Sequence, residues 1–234
     1  MTHPATAAQA APLWKHPALP YVLPFVLYVG LMALDRVASL PMIWAYPIRC
    51  AAALAALLAV SARAVSFRIS APWTSVALGV AVFLVWIGPD ALFGSGYRHH
   101  WLFENPLTGK AASSTPDGLR HSAAFIALRV IGCAAIVPPL EELFWRGWLM
   151  RWLAGHDFVK VPLGTYVPYA FWMVAILFAA EHGPYWEVGL ATGILYNWWM
   201  LRTKSLGDVT LAHAVTNALL SGYVLMTGQW QYWM

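Results

Sequence analysis

The residues of this chain that are best suited to chemistry are two adjacent glutamates, Glu141 and Glu142, in the segment PPLEELFWRG (residues 138–147). Strongly apolar stretches lie on both sides of this segment. Ionisable groups are costly inside a membrane and usually serve a function there. Successive helical residues point about 100° apart, so the two carboxylates face different directions. Glu142 can pair with Arg146, four residues on, which leaves Glu141 free to face a reactant.

The proline pair before the glutamates predicts a helix boundary. Proline suits the first turn of a helix, where its missing amide hydrogen costs nothing. We therefore expect one helix to end at Pro138-Pro139 and another to run from about 139 to 154, with both glutamates in its first turn. The interpretation without chemistry is a helix start stabilised by acidic residues near the positive end of the dipole, with one ion pair.

Two more pairs of residues, each containing a histidine, occur at helical spacing within apolar segments. Phe178 and His182 are four residues apart, and so are His213 and Asn217. A single histidine in such a place is typical of an interhelical hydrogen bond. Together with Glu141, the set is sufficient to deprotonate water and to donate hydrogen bonds to an oxyanion. The alternative is that Glu141, His182 and His213 hold a divalent metal such as zinc that activates water, so the cofactor is either absent or a metal.

The elements that must position these residues are membrane helices. Of the 234 residues, 60% are hydrophobic and 10% are charged, whereas a soluble domain carries about 25% charged residues. Apolar stretches of nearly 20 residues predict an all-α, multi-pass bundle of about eight transmembrane helices. The expected segments are 19–34, 42–60, 73–88, 122–137, 139–154, 165–182, 187–202 and 208–226.

This pattern predicts a flexible tail at residues 1–17, followed by a single integral membrane domain at 18–234. The catalytic motifs lie within 138–220, and residues 94–120 form a long polar connection rich in Gly, Ser and Pro. The net charge of +4 is modest and does not indicate a nucleic-acid partner.

The distribution of positive residues gives an ambiguous orientation. Lys15, Arg63 and Arg68 favour a cytoplasmic amino terminus and a cytoplasmic loop after the second helix. The positive residues of the polar connection reduce this bias; they are Arg98, Lys110 and Arg120.

In order along the chain, the three polar groups resemble the three motifs of the CAAX protease and bacteriocin-processing family, the Abi or type II CAAX prenyl endopeptidase group of intramembrane proteases. The matching motifs are Glu141-Glu142-x-x-x-Arg146, Phe178-x-x-x-His182 and His213-x-x-x-Asn217. The resemblance implies an eight-helix membrane bundle whose catalytic groups face a cavity open to the cytosol and the bilayer.

The resemblance also implies a role for each matching residue. Glu141 and His182 would activate the attacking water, and His213 and Asn217 would bind the oxyanion of the tetrahedral intermediate. The residues that would support the site are Glu142, Arg146 and Phe178. The family has been described both as glutamate-dependent and as metal-dependent, and the residues leave this open.

The stretch VPPLEELFWRGWLMRWL (residues 137–153) is similar to a bacterial subgroup of CAAX prenyl protease-related proteins found with exosortase systems. This narrower resemblance implies a protein of the bacterial inner membrane whose substrate is not prenylated.

Three functions follow from these observations. The first is an intramembrane endopeptidase that cleaves a protein or peptide substrate near the membrane, with the substrate and the lipid bilayer as its partners. The second is a non-proteolytic membrane protein that uses the polar cluster to bind a peptide, as an immunity, scaffold or sorting partner. The third is a small proton-coupled transporter, which the lack of inverted repeats in the sequence disfavours.

Overall fold

The computed structural model describes residues 13–233, so most of the predicted flexible tail, residues 1–12, lies outside the described residues. The described part is an all-α integral membrane protein. Five helices, α1 to α4 and α7, are long and apolar enough to cross a membrane. The seven helices are α1 Leu19–Ala38, α2 Met42–Ser61, α3 Pro72–Phe93, α4 Ala123–Ala154, α5 Pro168–Ala180, α6 Trp186–Thr203 and α7 Leu206–Thr227.

Helix α4 differs from the prediction. The segments expected as two helices form one continuous helix of 32 residues, so the expected count of eight transmembrane helices is not confirmed. Pro138 and Pro139 lie inside this helix, and Glu141 and Glu142 lie far from its first turn. The glutamates are therefore not the acidic start of a helix.

A wider helical turn accommodates the two prolines. The turn Gly132–Ile136 is a π-helix, in which the amide of Val137 donates to the carbonyl of Gly132. In the same register, the amide of residue 138 would donate to the carbonyl of Cys133, but proline has no N–H. Nδ2 of Asn217 on α7 donates to this carbonyl instead, at 2.9 Å. A neighbouring helix thus satisfies the group that the proline leaves free, as is common in membrane helices.

The helices alternate in direction, and their connections meet at two ends of the bundle. At the cap end lie the polar connection 94–122, the α5–α6 turn and the carboxyl terminus. There Ser114 N donates to the carbonyl of Trp233 at 2.8 Å, and Arg98 Nη1 to that of Pro184 at 3.0 Å. At the opposite end lie the amino-terminal segment and the connections 62–71, 155–167 and 204–205.

Helices α3 and α7 pack closely through glycine. A Cβ atom added at Gly79 would lie 2.7 Å from the Cβ of Val215 and 2.5 Å from the carbonyl oxygen of Ala212. The Gly79 carbonyl also accepts from the hydroxyl of Thr216 at 2.8 Å. Small residues allow this close approach of membrane helices, and α7 carries two of the candidate catalytic residues into the bundle.

We expect the Gly79→Ala variant to lose about 1–3 kcal/mol of unfolding free energy, because the new methyl group overpacks the α3–α7 interface. The matched control is Gly88→Ala on the same helix, where an added Cβ meets nothing within 4 Å. Unfolding in lipid bicelles titrated with SDS measures the free energy of unfolding of both variants. Equal stability of the two variants would contradict the packing argument.

Asp208 has a structural role at the end opposite the cap end. Its fully buried carboxylate accepts from the amide of Ser70 at 3.0 Å and the amide of Ala71 at 2.8 Å, just before α3 begins. Ser205 caps α7 by accepting from the amide of Asp208 at 3.2 Å. The SLGD segment (residues 205–208) therefore joins the starts of α3 and α7.

Candidate active site

The second glutamate lies in a fully buried ion pair. Glu142 and Arg146 are both about 0% exposed in their side chains, and Arg146 Nη1 donates to Glu142 Oε1 at 3.2 Å. The spacing of four residues predicted this pair. A buried carboxylate needs such a partner, because an unpaired charge in an apolar interior is very costly.

Arg146 is held by two further polar partners and an aromatic ring. Its Nε donates to Asn197 Oδ1 at 2.9 Å, and its Nη2 to the carbonyl of Gly193 at 3.3 Å, both on α6. The guanidinium carbon lies 4.6 Å from the centre of the Phe178 ring on α5. Arg146 therefore joins α4, α5 and α6 at the level of the glutamates, and Phe178 supports it from one side.

His213 connects the two glutamates. Its Nδ1 lies 2.8 Å from Glu142 Oε1, and its Nε2 lies 3.9 Å from Glu141 Oε2. The first contact is a hydrogen bond, whereas the second distance is too long for one. Since a carboxylate accepts, Nδ1 carries the hydrogen, and Nε2 is the ring atom that faces Glu141. Oε2 of Glu141 is buried and has no hydrogen-bond partner among the described residues.

His182 lies just beyond the end of α5, in the turn that leads to α6. Its Nδ1 lies 2.6 Å from the carbonyl oxygen of Phe178. Because a carbonyl only accepts, Nδ1 carries the hydrogen and Nε2 is left to act as an acceptor. The turn that follows is held from the polar connection, where Arg98 donates to the carbonyl of Pro184 at 3.0 Å.

One cavity of about 160 Å³ brings the four predicted catalytic residues together. Glu141, His182, His213 and Asn217 all line it, and they come from α4, the α5–α6 turn and α7. Asn217 reaches the cavity while one of its amide hydrogens bonds to the Cys133 carbonyl. The other lining residues are Trp86, Arg129, Cys133, Leu220, Ser221, Tyr232 and Trp233. This arrangement gathers a carboxylate, two imidazoles and an amide around a space that holds a few water molecules.

Residues 123–219 match the family model described as type II CAAX prenyl endopeptidase, Rce1-like. The resemblance that the motifs indicated is confirmed. The matched region runs from the start of α4 into α7 and contains all three motifs. Comparison with curated proteins and with solved structures gave no match.

Some wall residues of the cavity were missed by sequence reasoning. Tyr232 and Trp233 follow the last membrane helix and close one side of the cavity, and Trp86 contributes from α3. The Trp86 and His182 rings lie 5.3 Å apart. No sequence motif marks Trp86, Tyr232 or Trp233 as residues of the site. Their contacts with the cavity depend on how segments distant in the chain pack together.

The metal-dependent alternative requires Glu141, His182 and His213 to present three donors to one ion. Within residues 13–233, no group of three or more His, Cys, Asp or Glu side chains is arranged to hold a metal. The Nδ1 atoms of both histidines are hydrogen-bonded, to Glu142 and to the Phe178 carbonyl, which leaves the two Nε2 atoms as the ring nitrogens that could bind an ion. In the observed arrangement, Glu141, His182 and His213 therefore do not form a three-ligand metal site.

Proposed function

We propose that this protein is an intramembrane endopeptidase that hydrolyses a peptide bond at the membrane in a protein or peptide substrate. The observation that carries the proposal is the cavity that Glu141 lines together with His182, His213 and Asn217. Glu141 Oε2 lies 3.9 Å from His213 Nε2 and has no hydrogen-bond partner among the described residues. The match to Rce1-like endopeptidases over residues 123–219 supports the same reaction class.

In the proposed reaction, Glu141 takes a proton from a water molecule, and the water oxygen bonds to the carbonyl carbon of the scissile peptide. His182 assists through Nε2, which can accept a second hydrogen bond from the same water. The carbonyl oxygen becomes an oxyanion that His213 and Asn217 stabilise. The carbon–nitrogen bond then breaks, and the proton held by Glu141 passes to the leaving amine.

The hydrogen bond between His213 and Glu142 sets a condition on this mechanism. With Nδ1 donating to Glu142, Nε2 of a neutral ring is an acceptor that faces another acceptor, Glu141 Oε2, at 3.9 Å. A proton on either atom, or a water that contacts both, would make this arrangement favourable. His213 can donate to an oxyanion from Nε2 only while the ring carries both protons. Glu142 and Arg146 support the site by fixing this ring orientation.

Asn217 has two separable roles in this proposal. We expect Asn217→Ala to lower the rate constant for hydrolysis about 10²- to 10³-fold through loss of an oxyanion donor. It should also cost about 1–3 kcal/mol of stability, because the Cys133 carbonyl loses its partner. Adding Pro138→Ala supplies an N–H for that carbonyl. The double variant should therefore regain stability in SDS titration but remain slow; recovery of the rate as well would reduce Asn217 to a structural role.

The proposed function is tested by a direct assay for peptide-bond cleavage. Membranes from cells that express the chain are compared with control membranes for new peptide termini by mass spectrometry, and candidates are then cleaved in proteoliposomes that contain only the purified chain and substrate. New termini in both settings support the endopeptidase. Peptide capture without cleavage would favour the non-proteolytic binding protein, and proton-coupled uptake without cleavage would favour the transporter.

We also propose a cellular location and a substrate class for this activity. The similarity of residues 137–153 to a bacterial subgroup found with exosortase systems supports a bacterial inner-membrane enzyme. In that setting the substrate carries no prenyl group. Synthetic substrates with and without a farnesyl group should then be cleaved at similar rates in proteoliposomes.

A further inference from the structure

A second cavity lies where α1 meets α2, and it shares no lining residue with the catalytic one. Its volume is about 350 Å³, within the range of about 300–1,000 Å³ that small-molecule sites occupy. The end of α1, the start of α2 and Ser114 of the polar connection line it. Because α1 and α2 are each long enough to cross a membrane, the turn that joins them lies at a boundary of the bilayer.

Arg49, on the second turn of α2, is the buried cation of this cavity. It is 7% exposed, and its guanidinium carbon lies 4.9 Å from the centre of the Tyr28 ring and 5.3 Å from that of Tyr46. Among the described residues it makes one hydrogen bond, from Nη1 to Asp35 Oδ2 at 3.3 Å. Its Nε is buried and has no hydrogen-bond partner there.

The guanidinium of Arg49 therefore lacks acceptors. A guanidinium has five N–H donors, and buried polar groups are nearly always hydrogen-bonded. Charge-assisted N–H···O bonds are usually about 2.7–2.9 Å long, so the 3.3 Å contact with Asp35 is a long one. The cavity in front of Arg49 is suited to an anion with several oxygen atoms.

The other lining residues define the class of this anion. Arg36, at the end of α1, is exposed, and so is Leu40, which shows that the cavity is open to the surroundings. Two arginines against one aspartate, Asp35, give the lining a net charge of +1. Apolar side chains complete the lining and include Met32, Leu40 and Met42. The ligand should therefore combine negative charge with apolar groups.

The surface beside the cavity is also apolar. Val37 on α1 is 85% exposed and Trp44 on α2 is 67% exposed. A small water-soluble anion would gain nothing from this surface, whereas a phospholipid would place its acyl chains there and its phosphate near the arginines. Basic pockets between membrane helices are typical binding sites for the head groups of anionic lipids.

We propose that this cavity binds one anionic phospholipid, whose phosphate accepts hydrogen bonds from Arg49 and Arg36. We call it the headgroup site. Two of its lining residues also hold Arg129 in the wall of the catalytic cavity: Tyr46 Oη donates to the Arg129 carbonyl at 3.2 Å, and Ser114 Oγ accepts from Arg129 Nη2 at 3.1 Å. The lipid thus binds next to that wall, and its binding does not depend on the proposed proteolysis.

Native mass spectrometry of the purified chain in detergent tests the ligand class, with phosphatidylglycerol, phosphatidylcholine and inorganic phosphate as probes. Phosphatidylglycerol should form a 1:1 complex. It should bind about tenfold more tightly than phosphatidylcholine, whose choline brings a positive charge to the arginines. Equal affinity for phosphatidylcholine, or binding of inorganic phosphate at the same concentrations, would overturn the assignment to an anionic lipid.

Three variants test the location of the lipid. Arg36→Gln should weaken phosphatidylglycerol binding about fivefold. Asp35→Asn with Arg49→Gln removes the buried cation together with its partner, and should weaken binding at least about tenfold. The matched control is Arg63→Gln, at an exposed arginine beyond the other end of α2 that does not line the site; it should bind as the unmodified chain does.

Folding is verified for each variant by SDS titration without added lipid. Because Arg36 is exposed, its variant measures lipid binding even if the double variant is unstable. Equal affinities of Arg36→Gln, Arg63→Gln and the unmodified chain for phosphatidylglycerol would overturn the proposed site.

Discussion

Replacement of Glu141 by glutamine is expected to lower the rate of peptide-bond hydrolysis about 10²- to 10⁴-fold, the usual contribution of a general base. Glutamine keeps the size of the side chain but cannot take a proton from water. The fold should tolerate the change, because Oε2 of Glu141 has no hydrogen-bond partner among the described residues. The measurement is the single-turnover rate in proteoliposomes, with SDS titration to verify that the variant is folded.

The matched control for this prediction is Glu181→Gln. Glu181 lies beside His182, and its Oε1 accepts from the indole N–H of Trp145 at 3.2 Å. An amide oxygen can keep that hydrogen bond, and Glu181 is not among the residues that line the cavity. Because the charge of Glu181 also acts on Glu141 through space, the control should lose some rate, but much less than Glu141→Gln. An unchanged rate for Glu141→Gln, or equal losses in both variants, would reject Glu141 as the base.

The parts of the fold that depend on local pattern were predictable from the sequence. The apolar runs give the bounds of α1, α2, α6 and α7 to within a few residues, because a membrane span needs a long apolar segment. The pairing of Glu142 with Arg146 follows from helical spacing alone. Each of these features is decided by residues close together in the chain.

The features that were predicted wrongly or missed depend on residues distant in sequence. Pro138 and Pro139 predicted a helix boundary, but Asn217 on α7 satisfies the carbonyl of Cys133, and the helix continues. No rule based on the local sequence includes a partner 84 residues away. The wall formed by Trp233 was missed for the same reason, since it is held by Ser114.

Glu142 shows which contacts of the site helical spacing predicts and which depend on the fold. Spacing gave Glu142 one partner, Arg146, and left Glu141 available for chemistry. The fold adds His213 as a second partner of Glu142, at 2.8 Å. In the proposed mechanism, this contact lets Glu142 orient the His213 imidazole as well as balance the charge of Arg146. The proposed chemistry of Glu141 would then depend on a charge pair that does not line the cavity.

Among the single variants, Arg146→Met is expected to lose the most stability, because it breaks this ion pair. Methionine fills similar space but leaves the carboxylate of Glu142 in an interior where its exposure is 0%. Breaking a buried ion pair in this way costs about 3–5 kcal/mol of unfolding free energy. Asn197 and the Gly193 carbonyl also lose their donors. SDS titration in bicelles measures the loss.

The control for Arg146→Met is Arg151→Met on the same helix. Arg151 is also buried, but its guanidinium donates to the carbonyls of Gly147, Val159 and Val161, so its loss leaves no buried charge. The control should lose about 1–3 kcal/mol, the cost of acceptors left unsatisfied. Equal losses in the two variants would contradict the central place of the ion pair.

A double variant tests whether stability and the rate of hydrolysis depend on the ion pair in the same way. Arg146→Met combined with Glu142→Gln removes both charges, and neutral replacement of a buried pair is often tolerated without loss of stability. We therefore expect the double variant to be more stable than Arg146→Met alone. Hydrolysis should stay slow in the double variant, because a glutamine amide holds the His213 ring less firmly than a carboxylate does. If the rate returned with the stability, the contact between Glu142 and His213 would be incidental, and the pair would serve only to hold α4, α5 and α6 together.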